Sequence, residues 1–270
     1  MSGERDPYLI EYFVFGRAKG DSPVRWVASG RRTHPVGLKP LNKSRHFGIP
    51  WESREVEQPA LRMLAACSRV MTINSQPHSL FIGVRGIKRQ FRYTPDIEAH
   101  VHPSFLEELS SGRPLFEIVA DPFTRAVASD EGVPIVLEMK SEQDKSLEDP
   151  ANQTKMKMVE AIYEHVAQPF FVLREATHID RKFMRVITEL EAGARDRVGD
   201  LEKSRGLLAF GRDRCLPFGS LSQSLGGQPA GERLVKALHF KQFLSIDLRR
   251  GLNPDAPVWL RQQAEFGRDV

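Results

Sequence analysis

Three acids and one lysine carry the spacing that could do chemistry. In Val133-Pro-Ile-Val-Leu-Glu-Met-Lys140, strand alternation puts Glu138 and Lys140 on the face of Val136, with Ile135, Leu137 and Met139 on the other. A carboxylate and an ammonium thus emerge together from an otherwise apolar strand. Either would be costly to bury alone, so they pair, meet solvent or serve a site. Upstream, in Arg92-Tyr-Thr-Pro-Asp96-Ile-Glu-Ala, Pro95 interrupts pairing and Asp96 opens the next segment. An acid at a strand kink, followed by acid-x-Lys at a strand end, suits two-metal phosphodiester cleavage. Asp96 and Glu138 would give oxygen ligands to Mg²⁺, or to Mn²⁺ in its place, with the Met139 carbonyl, water and phosphate oxygens completing the shell. Lys140 could orient the attacking water and stabilise charge developing on the phosphate. Glu57 is a third acid: it lies four and seven residues before Leu61 and Leu64, on the apolar stripe of its helix. A metal-facing carboxylate accounts for that position; a salt bridge to Lys140 is the alternative, and Glu55 competes for the role. Glu52, Arg54 and Glu55 fall elsewhere on the helical wheel and are expected in solvent.

The elements that must position these residues follow from periodicity and punctuation. A strand is expected around Leu9–Phe15 within an otherwise irregular, basic first 50 residues, and a helix from about Trp51 to Arg69. Strand-like runs at Ser79–Val84 and Gln90–Val101 flank a turn-like Arg85-Gly-Ile-Lys-Arg89. Residues 103–131 read as loop-like, with a strand at Leu115–Ala120. Val133–Lys140 is a buried strand, Asn152–Glu164 a helix and Pro169–Leu173 another strand, which together describe an α/β unit with a mixed sheet. Gln153, Lys155 and Lys157 on that helix fit either a contact to backbone phosphate or a solvated helix face. Beyond residue 178 a charged helical stretch runs from Ile179 to about Arg205, with Phe183, Val186, Ile187 and Leu190 on one side. Two short helices (Ser220–Leu225, Ala230–Leu238) and two small strands (Phe243–Leu248, Ala256–Leu260) come next, an order compatible with a winged helix-turn-helix. The chain therefore divides into a basic arm (1–50), an α/β domain (51–177) and a helical, winged-helix-like domain (178–270).

Composition narrows the class. Among 270 residues, 40% are hydrophobic, which supports a real core and excludes wholesale disorder. No apolar run approaches the roughly 18–20 residues of a membrane span, and Met1–Tyr8 carries Glu4 and Asp6 in place of an apolar leader. Two cysteines, Cys67 and Cys215, exclude a disulfide framework and a cysteine-based zinc site. A soluble, cytoplasmic protein without membrane contact is expected. The net charge of +4 conceals local clusters. Residues 17–45 hold Arg17, Lys19, Arg25, Arg31, Arg32, Lys39, Lys43 and Arg45 against one acid, and Arg85, Lys88, Arg89 and Arg92 have no acid among them. Such clusters fit either a solvated face or a polyanion surface, and the second cluster is the candidate DNA contact.

Taken together, Glu57, Gln76-Pro77, Tyr93-Thr-Pro-Asp96 and Glu138-Met-Lys140 resemble the TnsA-type endonuclease subunit of heteromeric transposases, in the restriction-endonuclease-like PD-(D/E)xK superfamily. The resemblance covers roughly residues 50–175. It implies a mixed-sheet nuclease core, with Glu57, Asp96 and Glu138 as catalytic acids and Lys140 as catalytic lysine. It also implies Mg²⁺-dependent cleavage of the non-transferred strand at transposon ends, in company with a DDE-type transposase and an AAA+ regulator, and a winged-helix-like C-terminal module. A stand-alone defence or repair nuclease, or a DNA-binding scaffold with a decayed site, are the other readings. Three features depart from the family pattern: 41 residues separate Asp96 from Glu138, which implies an insertion near 103–131; the approach Glu52-Ser-Arg-Glu-Val-Glu57 is one residue longer than the usual Ser-x-x-Glu; and Pro59 follows Glu57 closely.

Overall fold

A computed structural model describes residues 9–26, 36–44, 46, 48–125, 132–144 and 148–261. Arg31, Arg32 and Arg45 of the first basic cluster lie outside the described residues.

The fold is mixed α/β. Strand β1 (Ile10–Arg17) is the expected first strand, and the ribbon β2 (Gly37–Lys39) and β3 (Ile49–Trp51) follows. Helix α1 (Glu57–Ala66) is shorter than the 51–69 expected, because Trp51 belongs to β3. It starts at Glu57 and carries Pro59 in its first turn, where a missing N–H costs no helical bond. Strand β4 (Val70–Ser75), which periodicity did not reveal, leads into β5 (His78–Val84) and β6 (Phe91–Tyr93). The run from Gln90 to Val101 is two strands: Pro95 ends β6, and β7 (Ile97–Val101) enters a different sheet. Residues 103–120 correct the loop-like reading. They form helices α2 (Pro103–Ser110) and α3 (Leu115–Ala120), the latter where a strand was expected. A six-residue apolar run has no periodicity that separates strand from helix. Strand β8 (Val133–Lys140), helix α4 (Pro150–His165), strand β9 (Phe170–Arg174) and a short helix α5 (Glu175–His178) complete this part.

The central sheet has the order β4-β7-β8-β9, antiparallel except for the β8–β9 pair, and a second sheet has the order β1-β5-β6. Strand β8 explains its own alternation. Ile135, Leu137 and Met139 enter the core built on α1, whereas Val136 enters a separate core with Met158, Val159, Ile162 and Tyr163 of α4. A sheet covered on both faces demands apolar residues on both, and Glu138 and Lys140 interrupt one face where the covering stops.

The expected helix from Ile179 to Arg205 is two. Helix α6 (Arg181–Leu190) buries Phe183, Ile187 and Leu190, a tight 3-10 turn (Glu191–Gly193) follows, and α7 (Asp200–Phe210) begins anew. A Cβ on Gly193 would come within 2.6 Å of the Arg233 carbonyl, so the chain turns where another helix presses against it. Strand β10 (Cys215–Pro217), helices α8 (Phe218–Ser224) and α9 (Ala230–Phe240), and strands β11 (Leu244–Ile246) and β12 (Pro257–Leu260) are the last of the described elements, with β12 between β10 and β11. The buried side chains of this region, Phe210, Leu221, Leu238 and Ile246 among them, belong to the same core as α1. Among the described residues, no helix is long and apolar enough to cross a membrane.

Candidate active site

Asp96 is delivered by the break between β6 and β7. Its Oδ2 accepts a hydrogen bond of 2.7 Å from the Met139 amide, which fixes it against the end of β8. On an extended strand the N–H and C=O of one residue point to the same edge, so the Met139 carbonyl also faces the Asp96 side. Glu138, the preceding residue, accepts at Oε2 a 2.5 Å bond from the Tyr93 hydroxyl, and at Oε1 lies 2.8 Å from the Lys140 ammonium. Lys140 is also 3.5 Å from Asp144. Asp96, Glu138 and Lys140 line one cleft of about 350 Å³, joined there by Arg25, Arg92 and Lys155.

Glu57 stands beside this group, at the first position of α1. It is buried, and its Oε2 accepts a 2.7 Å bond from the Glu52 amide. No ion pair joins it to Lys140, which is committed to Glu138 and Asp144. Glu55 is exposed and is not brought to the site. Glu52, expected in solvent, is instead half-buried: it is ion-paired with Arg25 and accepts a 3.0 Å bond from the Gln76 side-chain amide.

Gln76 is the residue that sequence reasoning undervalued. It sits between β4 and β5 at φ 48°, a left-handed conformation costly for a residue with a Cβ. Its amide donates to the Asp96 carbonyl (2.8 Å) and its carbonyl accepts from the Val24 amide (2.9 Å). One buried residue therefore ties the backbone of Asp96, the segment bearing Arg25, and the carboxylate of Glu52, whose amide holds Glu57. The only hint in the sequence is the Gln-Pro pair, since each partner is remote in the chain.

The electrostatics follow from crowding. Burial raises the Asp96 carboxyl well above the ordinary range, and the charges of Glu138 and Glu57 raise it further. Burial likewise pushes Glu57 up to about 7, with Glu52 and Glu138 adding to it. Burial works against the Lys140 ammonium, but Glu138 and Asp144 outweigh it and its pKa is raised. Tyr93 is driven well above its usual value by burial and by Glu138, so it stays a hydrogen-bond donor. The acidic set thus favours bound protons, or a cation in their place.

A second polar group lies under the sheet. Arg17 makes a paired contact with Glu98 (2.9 and 2.7 Å), and His78 Nε2 is 2.6 Å from the Tyr163 hydroxyl. This explains how Glu98 is tolerated in the interior. Of the expected DNA contacts, Arg85, Lys88 and Arg89 are exposed on the β5–β6 turn, while Arg92 is held by Ser79 (3.1 and 3.0 Å) at the edge of the cleft.

Among the described residues, no three His, Cys, Asp or Glu side chains are gathered tightly enough to hold a metal ion by themselves. Mg²⁺ does not require that, since it characteristically takes one or two carboxylates and fills its shell with water and substrate phosphate. Asp96 and Glu138, with the adjacent Met139 carbonyl, are hard oxygen donors of that kind. The chain matches no family model and no curated protein.

Proposed function

We propose that this protein is a Mg²⁺-dependent DNA endonuclease. The observation that carries the reading is the joining of Asp96 to the Met139 amide at 2.7 Å, which sets two acids and Lys140 from separate chain segments in one cleft. Asp96, Glu138 and the Met139 carbonyl would hold Mg²⁺, or Mn²⁺ in its place, with Glu57 completing the acidic set. The ion, when bound, supplies charge neutralisation at the phosphate and acidifies water. Tyr93 keeps Glu138 in one orientation by its hydroxyl. Lys140 holds its proton at neutral pH, so its ammonium stabilises charge on the phosphate and orients water; it is not the base.

The chain order of α1, strands β4 to β7, β8, α4 and β9 supports a restriction-endonuclease-like core. The order α7, β10, α8, α9, β11, β12, with β12 central, supports a winged-helix-like module. The more specific role rests on the sequence resemblance through Gln76-Pro77, Tyr93–Asp96 and Glu138–Lys140. It is cleavage of the non-transferred strand at transposon ends beside a DDE-type transposase and an AAA+ regulator. The test is cleavage of duplex DNA with Mg²⁺ or Mn²⁺ by the wild type, Asp96→Ala and Glu138→Ala, with the partner subunits added in parallel. The variants should lose at least about 100-fold in rate while still binding DNA. Wild-type rates in either variant would end the metal-site reading.

A further inference from the structure

Four cations line the cleft that holds Asp96 and Glu138, and three of them are already engaged. Arg25 is ion-paired with Glu52, Arg92 donates twice to Ser79, and Lys140 bridges Glu138 and Asp144. The fourth, Lys155, projects from the second turn of α4 and is half-buried in the cleft wall. Its ammonium lies 5.6 Å from the centroid of the Tyr93 ring, whose hydroxyl grips Glu138. Among the described residues it has no hydrogen-bond or ion-pair partner. Glu138 attracts it from beyond contact distance, but a cation partly removed from water with no acceptor in direct contact lacks the bond that would offset its lost hydration. Its neighbour Lys157, by contrast, is exposed on the outer side of the same helix.

We propose that Lys155 is a phosphate-binding residue, taking the phosphodiester adjacent to the one that meets Asp96 and Glu138. The proposal rests on the nuclease reading and names the ligand of one further position in the same cleft: a backbone phosphate, read without regard to base. Tyr93 then serves both positions, with its hydroxyl on Glu138 and its ring under Lys155.

The test uses the full-length protein and a 30-base-pair duplex of arbitrary sequence in a Ca²⁺ buffer, with binding followed by fluorescence anisotropy across a KCl series. Loss of one phosphate contact should reduce the slope of log K against log salt by about 0.9 and weaken binding about five-fold near 0.15 M salt. Lys155→Met should show both changes and Lys155→Arg neither. Lys157→Met, which removes the same charge from the exposed side, should keep the wild-type slope. The proposal is overturned by an unchanged slope in Lys155→Met, or by an equal fall in Lys157→Met. Lys155→Gln provides the same comparison should the methionine variant prove unstable. Cleavage by the wild type in Mg²⁺ is scored separately: its absence would remove the nuclease reading, while the slopes still decide whether Lys155 holds phosphate. A wild type that binds no DNA overturns both.

Discussion

At the scale of single residues, the site is a set of carboxylates crowded together and removed from water. Glu57 is buried with a pKa of about 7, well above the value of 4.5 it has when exposed. Between those values the folded chain binds a proton that the unfolded chain does not. Metal-free stability therefore falls as pH rises through that window, by up to about 3 kcal/mol for this group. Buried histidines such as His239 push the other way over part of this range, so the test is a difference: in thermal melts of the chelated proteins from pH 4.5 to 8, the wild type should lose stability relative to Glu57→Gln as pH rises, and Mg²⁺ should restore the wild type most at the alkaline end. A difference between the two that does not change with pH would remove Glu57 from the acidic set. Gln76 offers a separate test, because its strained backbone and its side-chain bond make opposite demands. Gln76→Gly should melt above Gln76→Ala by about 1 kcal/mol, since glycine tolerates positive φ. Both should cut DNA about 10–100-fold more slowly than wild type, because both lose the grip on Glu52. Cleavage that tracked stability and not the missing amide would contradict this positioning role. Asp96, Glu138 and Lys140 were legible in the sequence because strand alternation and a proline kink are local signals. Glu52 was not, and Gln76 showed only as half of a Gln-Pro pair, because what places them is contact between distant segments: Glu52 with Arg25, and Gln76 with Glu52, Asp96 and Val24.

At the scale of elements, the strands and helices with one clear period were readable and the crowded joints were not. Strand β8 and helix α4 declared themselves through apolar positions that their two cores require. Helix α3 did not, since Leu115, Ile118, Val119 and Ala120 are buried in a run too short to show a helical period. The break between α6 and α7 was invisible for another reason. It is imposed by α9, which leaves no room for a side chain at Gly193. The same closeness governs the α8–α9 joint, where a Cβ on Gly231 would lie 1.9 Å from the Ser222 carbonyl. That obstacle is backbone and cannot swing aside. Gly231→Ala should therefore lower stability by about 2 kcal/mol or more, read as a lower urea midpoint at unchanged slope. A midpoint within error of wild type would mean that the joint can open without cost.

At the scale of the whole molecule, the question is whether the C-terminal helices and strands fold apart from the α/β part. Composition changes near residue 178, yet the core does not stop there. Leu61 and Leu64 of α1 share one apolar cluster with Leu221, Leu238 and Ile246. Polar ties reinforce it: His239 Nε2 donates to the Ala66 carbonyl at 2.8 Å while its Nδ1 accepts from the Ile246 amide, and the Ser68 and Ser245 hydroxyls meet at 2.8 Å. The amide of Leu248 also donates to the carbonyl of Ala120, where α3 ends. Burial holds His239 neutral, its pKa lowered to about 3, so the tie persists throughout the neutral range. Removing the C-terminal part would leave the outer side of α1 in water, and each large apolar side chain so exposed costs about 1.5–3 kcal/mol. That is a large share of the 5–15 kcal/mol by which domains are stable. Trp51 on β3 and Trp259 on β12 report the two parts separately. With Trp26 replaced by Phe in both, proteins keeping only Trp51 or only Trp259 should unfold in urea at midpoints that each match the far-ultraviolet dichroism of the same variant. An earlier transition seen by Trp259 alone would mean that the C-terminal part melts off an intact α/β part, and that the shared cluster is a docking face and not a common core.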